Sequence, residues 1–482
     1  MIGRMHRNRS LFYAAFEREA ALIKDDHLDE IDAILDDDQL IEIVTQALAR
    51  RSPRSRTRGR EGIAPDRVLR SCVLKHLKCW SYRELERELR GSLVYRRFTR
   101  FDHEPIPDFS NFCRAFATLG DDLTRQIHAR IVVHAIHDGI APGRKMRTDT
   151  TVTETNIHHP TDSTLLADGV RVLTRSLERV AEECADGAVK VVNHARAVKH
   201  RVIEIARAAK SFTEQAREQL KGGYSKLLGL ARSVVHKAEQ VTSDLKDRKL
   251  PVVGDAIRVV VESAKLEHFL PLVKKVVHQA KERVFNGNTH VEGKIVSIFE
   301  EHTQVLPKGK AHKPTEFGRL VRIDEVENGI VSNYNVSDAS AGNLSDQEQW
   351  KPALSAHKET FGHAPRMATA DRGFSSAANE NAAKELGVKN VALPRRGKLS
   401  EARKKIQSQR WFKRAQGWRA GIEARIATLK HRFDMARAFY KGDIGLKRHV
   451  GFSVIANNLT RIARTRAQRK AESRAQEAKR AA

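Results

Sequence analysis

The sequence predicts a multidomain protein of the α+β/α/β class, with a helical N-terminal domain and a large helical insertion. Its 482 residues are too many for one ordinary hydrophobic core, so two or three domains are expected. Strand-like patterns occur in 145–157, 294–336 and 363–393. Residues 162–285, by contrast, carry almost uninterrupted helical patterns.

The charge balance indicates a polyanionic partner. Lysine and arginine number 87 against 60 acidic residues, a net charge of +27, and nucleic acid is the partner that such an excess favours. The four cysteines form no CxxC pair, which is typical of a reduced, intracellular compartment. No apolar run approaches the ~20 residues of a membrane span, and the N-terminal segment lacks a signal-peptide core. We therefore expect a cytoplasmic, nucleoid-associated protein with no membrane partner.

The first 61 residues combine a helical segment with a basic linker. An acidic patch spans 25–38 and is either a solvated face or a contact for the protein's own basic surface. The run RRSPRSRTRGR at 50–60 contains proline, glycine and serine, so we expect a flexible linker. It suits a phosphate-binding arm, although a merely solvated linker fits equally.

Residues 62–140 predict a helical DNA-binding domain. Ser81 and Glu84 form a capping box that opens a helix, with Leu85 and Leu89 facing inward. The outward residues of this helix include three arginines, Arg83, Arg87 and Arg90. A short helix, a tight break and a basic second helix suit a helix-turn-helix-like DNA reader, but any small helical bundle gives the same pattern.

A strand is predicted over 145–157, where threonine and valine alternate. Asp149 shares one face of this strand with Thr151 and Thr153, and Glu154 points the other way. Asp162 and Asp168 are alternatives to Asp149, but both precede or enter a helix.

The helical block that follows is predicted to break at Gly222-Gly223 and at Pro251. Strands then resume at 294–305 and form a hairpin over 317–336, with its turn at 327–329. A further short strand ends at Asp371, a helix capped by Ser375 or Ser376 follows, and 388–393 forms another strand. Ligands of α/β sheets gather at the carboxyl ends of strands, so Asp371 occupies a site-like position.

Residues 411–433 predict one amphipathic helix, because Ile422, Ile426, Leu429 and Phe433 recur at helical spacing. With Arg419 at angle zero, Glu423 falls at about 40° and Lys430 at about 20° on the helical wheel. The Glu423 carboxylate therefore lies on the same side of the helix as the cationic side chains of Arg419 and Lys430. Alone, this pattern also fits an ordinary surface helix with an i,i+4 ion pair.

Asp149, Asp371 and Glu423 together suit phosphodiester chemistry. Such chemistry uses two metal ions about 3.5–4 Å apart, and carboxylates are the ligands that Mg²⁺ prefers. Arg419 and Lys430 would bind DNA phosphates or counter developing charge. Trp411 and Trp418 are candidates for stacking on an unpaired base, and buried packing is the alternative for at least one.

The motif Arg419-x3-Glu423-x6-Lys430 resembles the C-terminal signature of DDE transposases of bacterial insertion sequences, in the group that includes insertion sequence family five. In that family a tyrosine usually precedes the arginine by three residues, and Gln416 stands there in this chain. The strand ending in Asp371-Arg-Gly-Phe is similar to the second-aspartate region, and Thr148-Asp149-Thr150 to the first. Residues 62–115 resemble the helical N-terminal domain of the same transposases.

The resemblance implies a ribonuclease-H-like catalytic core, which is a mixed sheet flanked by helices. It implies two Mg²⁺ ions, for which Mn²⁺ can substitute, held by the three acids. It also implies binding to the terminal inverted repeats, strand cleavage, transfer of the 3′-hydroxyl to target DNA, and a homodimer or larger synaptic assembly. The domains would be 1–61, 62–140, the core at 141–160 and 290–463, the insertion at 161–289, and a basic tail at 464–482.

Two further functions remain open on the sequence. A non-catalytic DNA-binding protein derived from a transposase would keep the fold without needing all three acids. A structure-specific nuclease on the same core would hydrolyse DNA without joining it to a target.

Overall fold

A computed structural model describes residues 1–3, 5, 25–51, 54, 58, 59, 61–310, 313–338, 345–395 and 397–481. The chain divides into two compact units, of which one comprises Met1–Asn156 with Lys308–Ala482 and the other comprises Ile157–Pro307. The finer domain boundaries given above remain predictions. Residues 4 and 6–24 of the helical segment predicted over 1–49, and six residues of the linker predicted at 50–60, lie outside the described residues.

In the described part of the first unit, seven helices precede the sheet. They are α1 (Asp26–Leu35), α2 (Asp38–Ala49), α3 (Pro65–Lys78), α4 (Tyr82–Gly91), α5 (Leu93–Thr99), α6 (Phe109–Ala117) and α7 (Asp121–His137). The predicted capping box is confirmed at the start of α4, where Ser81 and Glu84 each accept a hydrogen bond from the backbone of the other. Leu85 and Leu89 are fully buried, as the pattern predicts.

The acidic patch at 25–38 contacts the protein's own basic side chains. Asp32 accepts a 2.6 Å hydrogen bond from the buried Arg70, and Asp37 accepts one of 2.6 Å from Arg130. Asp36 lies 3.0 Å from Arg100. These ion pairs support the second of the two interpretations drawn from the sequence, because the patch is neutralised within the fold.

The rest of the first unit builds a sheet with flanking helices. Its strands are β1 (Lys145–Thr155), β2 (Gln304–Lys310), β3 (Lys313–Glu325), β4 (Val331–Val336), β5 (Met367–Ala370), β6 (Asn390–Ala392) and β7 (Arg437–Ala438). Its helices are α12 (Asp346–Phe361), α13 (Ala377–Glu385), α14 (Glu401–Ser408), α15 (Arg410–Arg432) and α16 (Gly442–Ala481). The four helices between β1 and β2 in the chain belong to the second unit and are described below.

The sheet is mixed, with strand order β2-β3-β1-β5-β6, β4 beside β3 and β7 beside β1. Strand β1 runs antiparallel to β3 and parallel to β5, and β5 runs parallel to β6. The hairpin predicted over 317–336 is confirmed as β3 and β4, joined by a turn in which Asn328 adopts a φ of 56°. The strand before Asp371 and the strand near 390 are confirmed as well.

Helices cover both faces of this sheet. On one face, Trp350 of α12 is buried with Ala368 and Ala370 of β5. On the other, Val321 and Ile323 of β3 share a core cluster with Leu429 of α15 and with residues of α16. A mixed sheet flanked by helices is compatible with the ribonuclease-H-like core that the resemblance implies.

The second unit is a helical bundle. Its helices are α8 (Asp162–Glu183), α9 (Ala195–Ala208), α10 (Glu214–Lys246) and α11 (Ala256–Phe285). The predicted break at Pro251 is confirmed, since this residue lies in the loop between α10 and α11. Among the described residues of both units, no helix combines the length and hydropathy needed to cross a membrane.

The predicted break at Gly222-Gly223 is wrong, because both glycines lie inside α10. A Cβ atom at position 223 would come within 2.9 Å of Ile205 Cγ1, whereas one at position 222 would meet no atom within 4 Å. Gly223 therefore allows α9 and α10 to approach closely, which is a tertiary requirement that the local sequence does not display.

The strand predicted over 294–305 is also wrong for most of its length, since β2 begins only at Gln304. Ile295 and Ile298 are instead buried in the core of the helical bundle. The Ile295 backbone N–H donates to Gln279 Oε1 over 3.2 Å. Ile295 thus pairs its backbone with Gln279 of α11 and buries its side chain in the bundle instead of joining a strand.

The two glycines of α10 provide a matched test. Gly222→Ala should raise the free energy of unfolding by about 1 kcal/mol, because alanine favours the helix. Gly223→Ala makes the same helical gain but crowds Ile205, and overpacking costs typically about 1–3 kcal/mol. Chemical unfolding monitored by circular dichroism should therefore find Gly223→Ala the less stable variant. Equal stability of the two variants would contradict the close helix contact.

Candidate active site

Three carboxylates meet at one guanidinium in the first unit. The Arg419 Nη1 atom lies 3.9 Å from Asp149 Oδ2 and 3.8 Å from Asp371 Oδ1. Its Nη2 atom lies 3.1 Å from Glu423 Oε1. The structure therefore brings together the three acidic residues singled out by the sequence, although they are separated by up to 274 positions along the chain.

The sheet register places the two aspartates side by side. Thr148 of β1 is paired with Ala370 of β5 in the parallel ladder, so the next residues, Asp149 and Asp371, stand at the same level. Asp371 follows directly after β5 and caps a short 3₁₀ turn by accepting from the Arg372 backbone N–H. Glu423 comes from α15, the helix predicted over 411–433 and observed over 410–432.

A buried ion pair fixes α15 against the sheet. Arg147 of β1 donates two hydrogen bonds to Glu325 of β3, of 2.9 and 2.7 Å. Arg425 of α15 donates to the same carboxylate over 3.2 Å. The Arg147 guanidinium also donates to the Trp418 backbone carbonyl and lies 4.6 Å from the centre of the Trp418 ring.

Gln416 provides a second attachment of α15 to the sheet. Its side-chain amide donates to Thr369 Oγ1 over 3.0 Å and to the Ala392 carbonyl over 2.8 Å. These acceptors belong to β5 and β6, so the helix is tied to the strand that ends at Asp371. Gln416, three positions before Arg419, thus orients the helix through its amide group.

Burial raises the pKa of Asp149 to about 6, and the negative charges of Asp371 and Asp346 act in the same direction. The hydrogen bond from the Thr150 backbone N–H and the positive charge of Arg419 act against this rise. The Asp149 side chain is only 19% exposed, whereas that of Glu423 is 70% exposed. The cluster is therefore buried at one side and open to a large substrate at the other.

Asp346 is a fourth carboxylate at this site, and sequence reasoning missed it. It accepts a hydrogen bond of 2.9 Å from Thr150 Oγ1. Its Oδ2 atom lies 2.6 Å from where a Cβ of Gly373 would stand, so a side chain at position 373 would displace this carboxylate. Asp346 opens α12, where an acidic residue is ordinary at a helix N-terminus, so its sequence position carried no signal of a site.

The alternative acids have other partners. Glu154 lies 2.8 Å from Arg437. Asp162 and Asp168 belong to α8 in the second unit, where they pair with Arg283 and Arg171.

The structure places the residues predicted to bind DNA in different settings. Lys430 lies on α15 seven residues beyond Glu423 and is half-buried. Trp418 is also half-buried and has Arg147 over one ring face, so packing accounts for part of its surface. Trp411 packs edge-on against Phe412.

The three arginines of α4 are engaged within the domain. Arg83 lies 4.2 Å from the centre of the Phe109 ring. Arg87 is 2.8 Å from Glu88, and Arg90 is 2.6 Å from Glu86. With Glu84 included, the acidic and basic charges of α4 cancel, so this helix is less basic than its arginines suggest.

The cluster offers a metal ion only oxygen donors. Among the described residues, no three histidine, cysteine, aspartate or glutamate side chains are grouped closely enough to hold an ion. Asp149, Asp371 and Glu423 nevertheless surround one cation, the Arg419 guanidinium. Their oxygen chemistry and their excess of negative charge fit Mg²⁺.

Two segments of the chain match known protein families. Residues 16–118 match the family described as Transposase domain (DUF772). Residues 380–463 match the family described as Transposase DDE domain, and they include all of α15. No curated protein and no solved structure shows a significant match to the chain.

These matches support a transposase with a DDE domain, a family that suggests an enzyme which cleaves and transfers DNA. More particularly, they support a DDE transposase of an insertion sequence. Asp149 and Asp371 lie outside both matched segments, and the assignment to the family-five group remains a prediction.

The pH dependence of stability tests the setting of Asp149. Its pKa of about 6 in the folded protein lies above the value of about 3.9 in an unfolded chain. Folding therefore favours the protonated acid below pH ~4, and this stabilisation is lost as the pH rises through about 6. Relative to Asp149→Asn, the metal-free wild type should lose roughly 2–3 kcal/mol between pH 4 and pH 8. Unfolding curves measured in EDTA check this, with Glu359→Gln, an exposed change on α12, as the control.

Asp346 is tested by its effect on the same titration. Asp346→Asn keeps an acceptor for Thr150 but removes a negative charge that raises the Asp149 pKa. We expect the carbon-13 NMR titration of Asp149 to shift below its wild-type midpoint, while Glu359→Gln leaves the midpoint unchanged. An unshifted midpoint in Asp346→Asn would show that the two carboxylates do not interact.

Proposed function

We propose that this protein is the transposase of an insertion sequence, which binds the terminal inverted repeats and cuts DNA strands at the element ends. It then transfers the 3′-hydroxyl ends to target DNA. The observation that carries this proposal is that the Asp149, Asp371 and Glu423 carboxylates all lie near the Arg419 guanidinium. Arg419 and Glu423 belong to a helix within the segment that matches a transposase DDE domain.

In this proposal the three carboxylates hold two Mg²⁺ ions, with Mn²⁺ able to substitute. The ions, when bound, supply the charge that stabilises the attacking and leaving oxygens of phosphoryl transfer. Asp149 must be ionised for this role, which its interaction with cations favours. Arg419 would exchange its carboxylate partners for phosphate oxygens, which a guanidinium binds in a bidentate manner.

Other parts of the chain would hold the DNA. Lys430 lies on the same side of α15 as Arg419 and Glu423 and would contact phosphates beside the reacting group. The exposed guanidinium groups of Arg87 and Arg90 suit contacts to duplex DNA, and Trp418 would contact an unpaired base. Two element ends must be held together for transposition, so we propose that the active form is a homodimer or larger assembly acting at the nucleoid.

A reaction with element-end DNA, a target plasmid and Mg²⁺ tests this proposal. Glu423→Gln should reduce cleavage and joining by at least about 1,000-fold, because a neutral amide is a poor Mg²⁺ ligand. Binding to end DNA should stay within about twofold of wild type, since phosphate contacts by cations dominate affinity. Asp149→Asn and Asp371→Asn should behave alike, and Glu359→Gln should react normally.

Cleavage retained by Glu423→Gln would remove this residue from the catalytic set. Hydrolysed products that are never joined to the plasmid would instead indicate a structure-specific nuclease.

A second function, DNA binding without catalysis, is favoured by one observation. Arg419 already contacts all three carboxylates and offsets part of their charge, so the cluster has a cationic partner without metal. Specific binding of end DNA by the wild type, with no Mg²⁺-dependent or Mn²⁺-dependent product, would favour this second function.

A further inference from the structure

A basic groove lies between α15 and α16 in the first unit. It has a volume of about 500 Å³ and is lined by four arginines and a histidine, Arg425, His431, Arg432, Arg461 and Arg464. Thr428, Thr460 and Asn457 add polar groups, Phe433 contributes an apolar wall, and no acidic residue of the described chain lines the groove. We call this feature the α15–α16 groove.

The positive charge of the α15–α16 groove is only partly compensated. Arg425 reaches Glu325, and Arg461 donates to the Asn328 carbonyl over 2.8 Å. Arg432 and Arg464 are exposed, and neither has a carboxylate partner among the described residues. Burial lowers the pKa of Arg461, and the charges of Arg425 and Arg464 lower it further. Several cations therefore face one open space, which favours an anionic ligand.

The groove faces away from the carboxylate cluster. With Arg419 at angle zero, Thr428 falls at about 180°, Arg432 at about 220° and Arg425 at about 240° on the helical wheel of α15. Glu423 falls at about 40° on the same wheel. A phosphate held in the α15–α16 groove is consequently a different one from a phosphate beside Arg419.

The dimensions of the groove suit a strand of phosphates better than a single small anion. Arg425 and Arg432 are seven residues apart, which is about 10.5 Å along the helix axis. Successive phosphates of one DNA strand advance about 3.4 Å along the duplex axis and also rotate about it, so a row of this length reaches beyond one phosphate to a neighbouring one.

We infer that the α15–α16 groove binds the phosphate backbone of duplex DNA at a second site, separate from the DNA that reacts at the carboxylate cluster. The inference rests on the proposed function only for the identity of the ligand. Its role is to hold DNA and not to cut it, so it can be tested without any cleavage.

The test measures how the affinity for DNA depends on salt. Anisotropy of a fluorescein-labelled 24-base-pair duplex is titrated in EDTA at several salt concentrations, with wild type, Arg432→Gln/Arg464→Gln and Arg464→Gln alone. The control is Lys351→Gln/Lys358→Gln, which removes two exposed charges from α12. Thermal unfolding of each variant checks the fold, and the single variant serves if the double variant is unstable.

Each lost phosphate contact should reduce the slope of log affinity against log salt by about 0.9. At 0.1 M salt this corresponds to roughly 8-fold weaker binding for the single variant and up to roughly 60-fold for the double variant. The control and Glu423→Gln should keep the wild-type slope.

An unchanged slope in the folded double variant would overturn the inference, as would a wild type that does not bind the duplex. Polyglutamate provides the remaining arm of the test. Polyglutamate at equal charge concentration could displace the duplex from wild type but not from the double variant. That result would assign the groove to an acidic protein segment and overturn the inference. A reduced slope in a protein that never cleaves DNA would support the groove while refuting the transposition reaction.

Discussion

The buried ion pair between Arg147 and Glu325 is the interaction on which the geometry of the site depends. Both side chains are withdrawn from water, and an unpaired charge there would be strongly destabilising. Glu325 is satisfied by two arginines, one from β1 and one from α15, so the pair joins the sheet to the helix. Asp149 follows Arg147 by two residues on the same face of β1, and this places it beneath Arg419.

The cluster around Arg419 shows how like charges can be held together in a fold. Four carboxylates converge where β1 and β5 approach the first turn of α12 and the face of α15. Arg419 offsets part of their repulsion, and the buried Asp149 carries the remaining cost as a raised pKa. A site of this kind gains electrostatic stabilisation from any added cation, which is consistent with the metal-dependent chemistry proposed for it.

Different faces of helix α15 have different functions. One face carries Arg419 and Glu423, the adjoining stripe packs Ile422 and Leu429 into the core, and the opposite face lines the α15–α16 groove. The charge excess of the chain is likewise distributed unevenly, because the charges of α4 cancel and the acidic patch at 25–38 pairs with basic residues inside the fold. A single amphipathic pattern thus contains two kinds of polar surface, which composition alone cannot distinguish.

The sequence by itself determined the elements with strong local signals. Helical periodicity defined α15, alternation defined β1, and the turn at 327–329 defined the β3–β4 hairpin, because each depends on residues within a few positions of one another. Tertiary structure alone decided features that depend on distant partners. The close approach of Ile205 requires a small residue at position 223 inside a helix, and Ile295 and Ile298 pack into the helical bundle where a strand was predicted. The sheet register sets Asp149 beside Asp371, and the fold adds Asp346, because contacts between residues hundreds of positions apart leave no trace in local spacing.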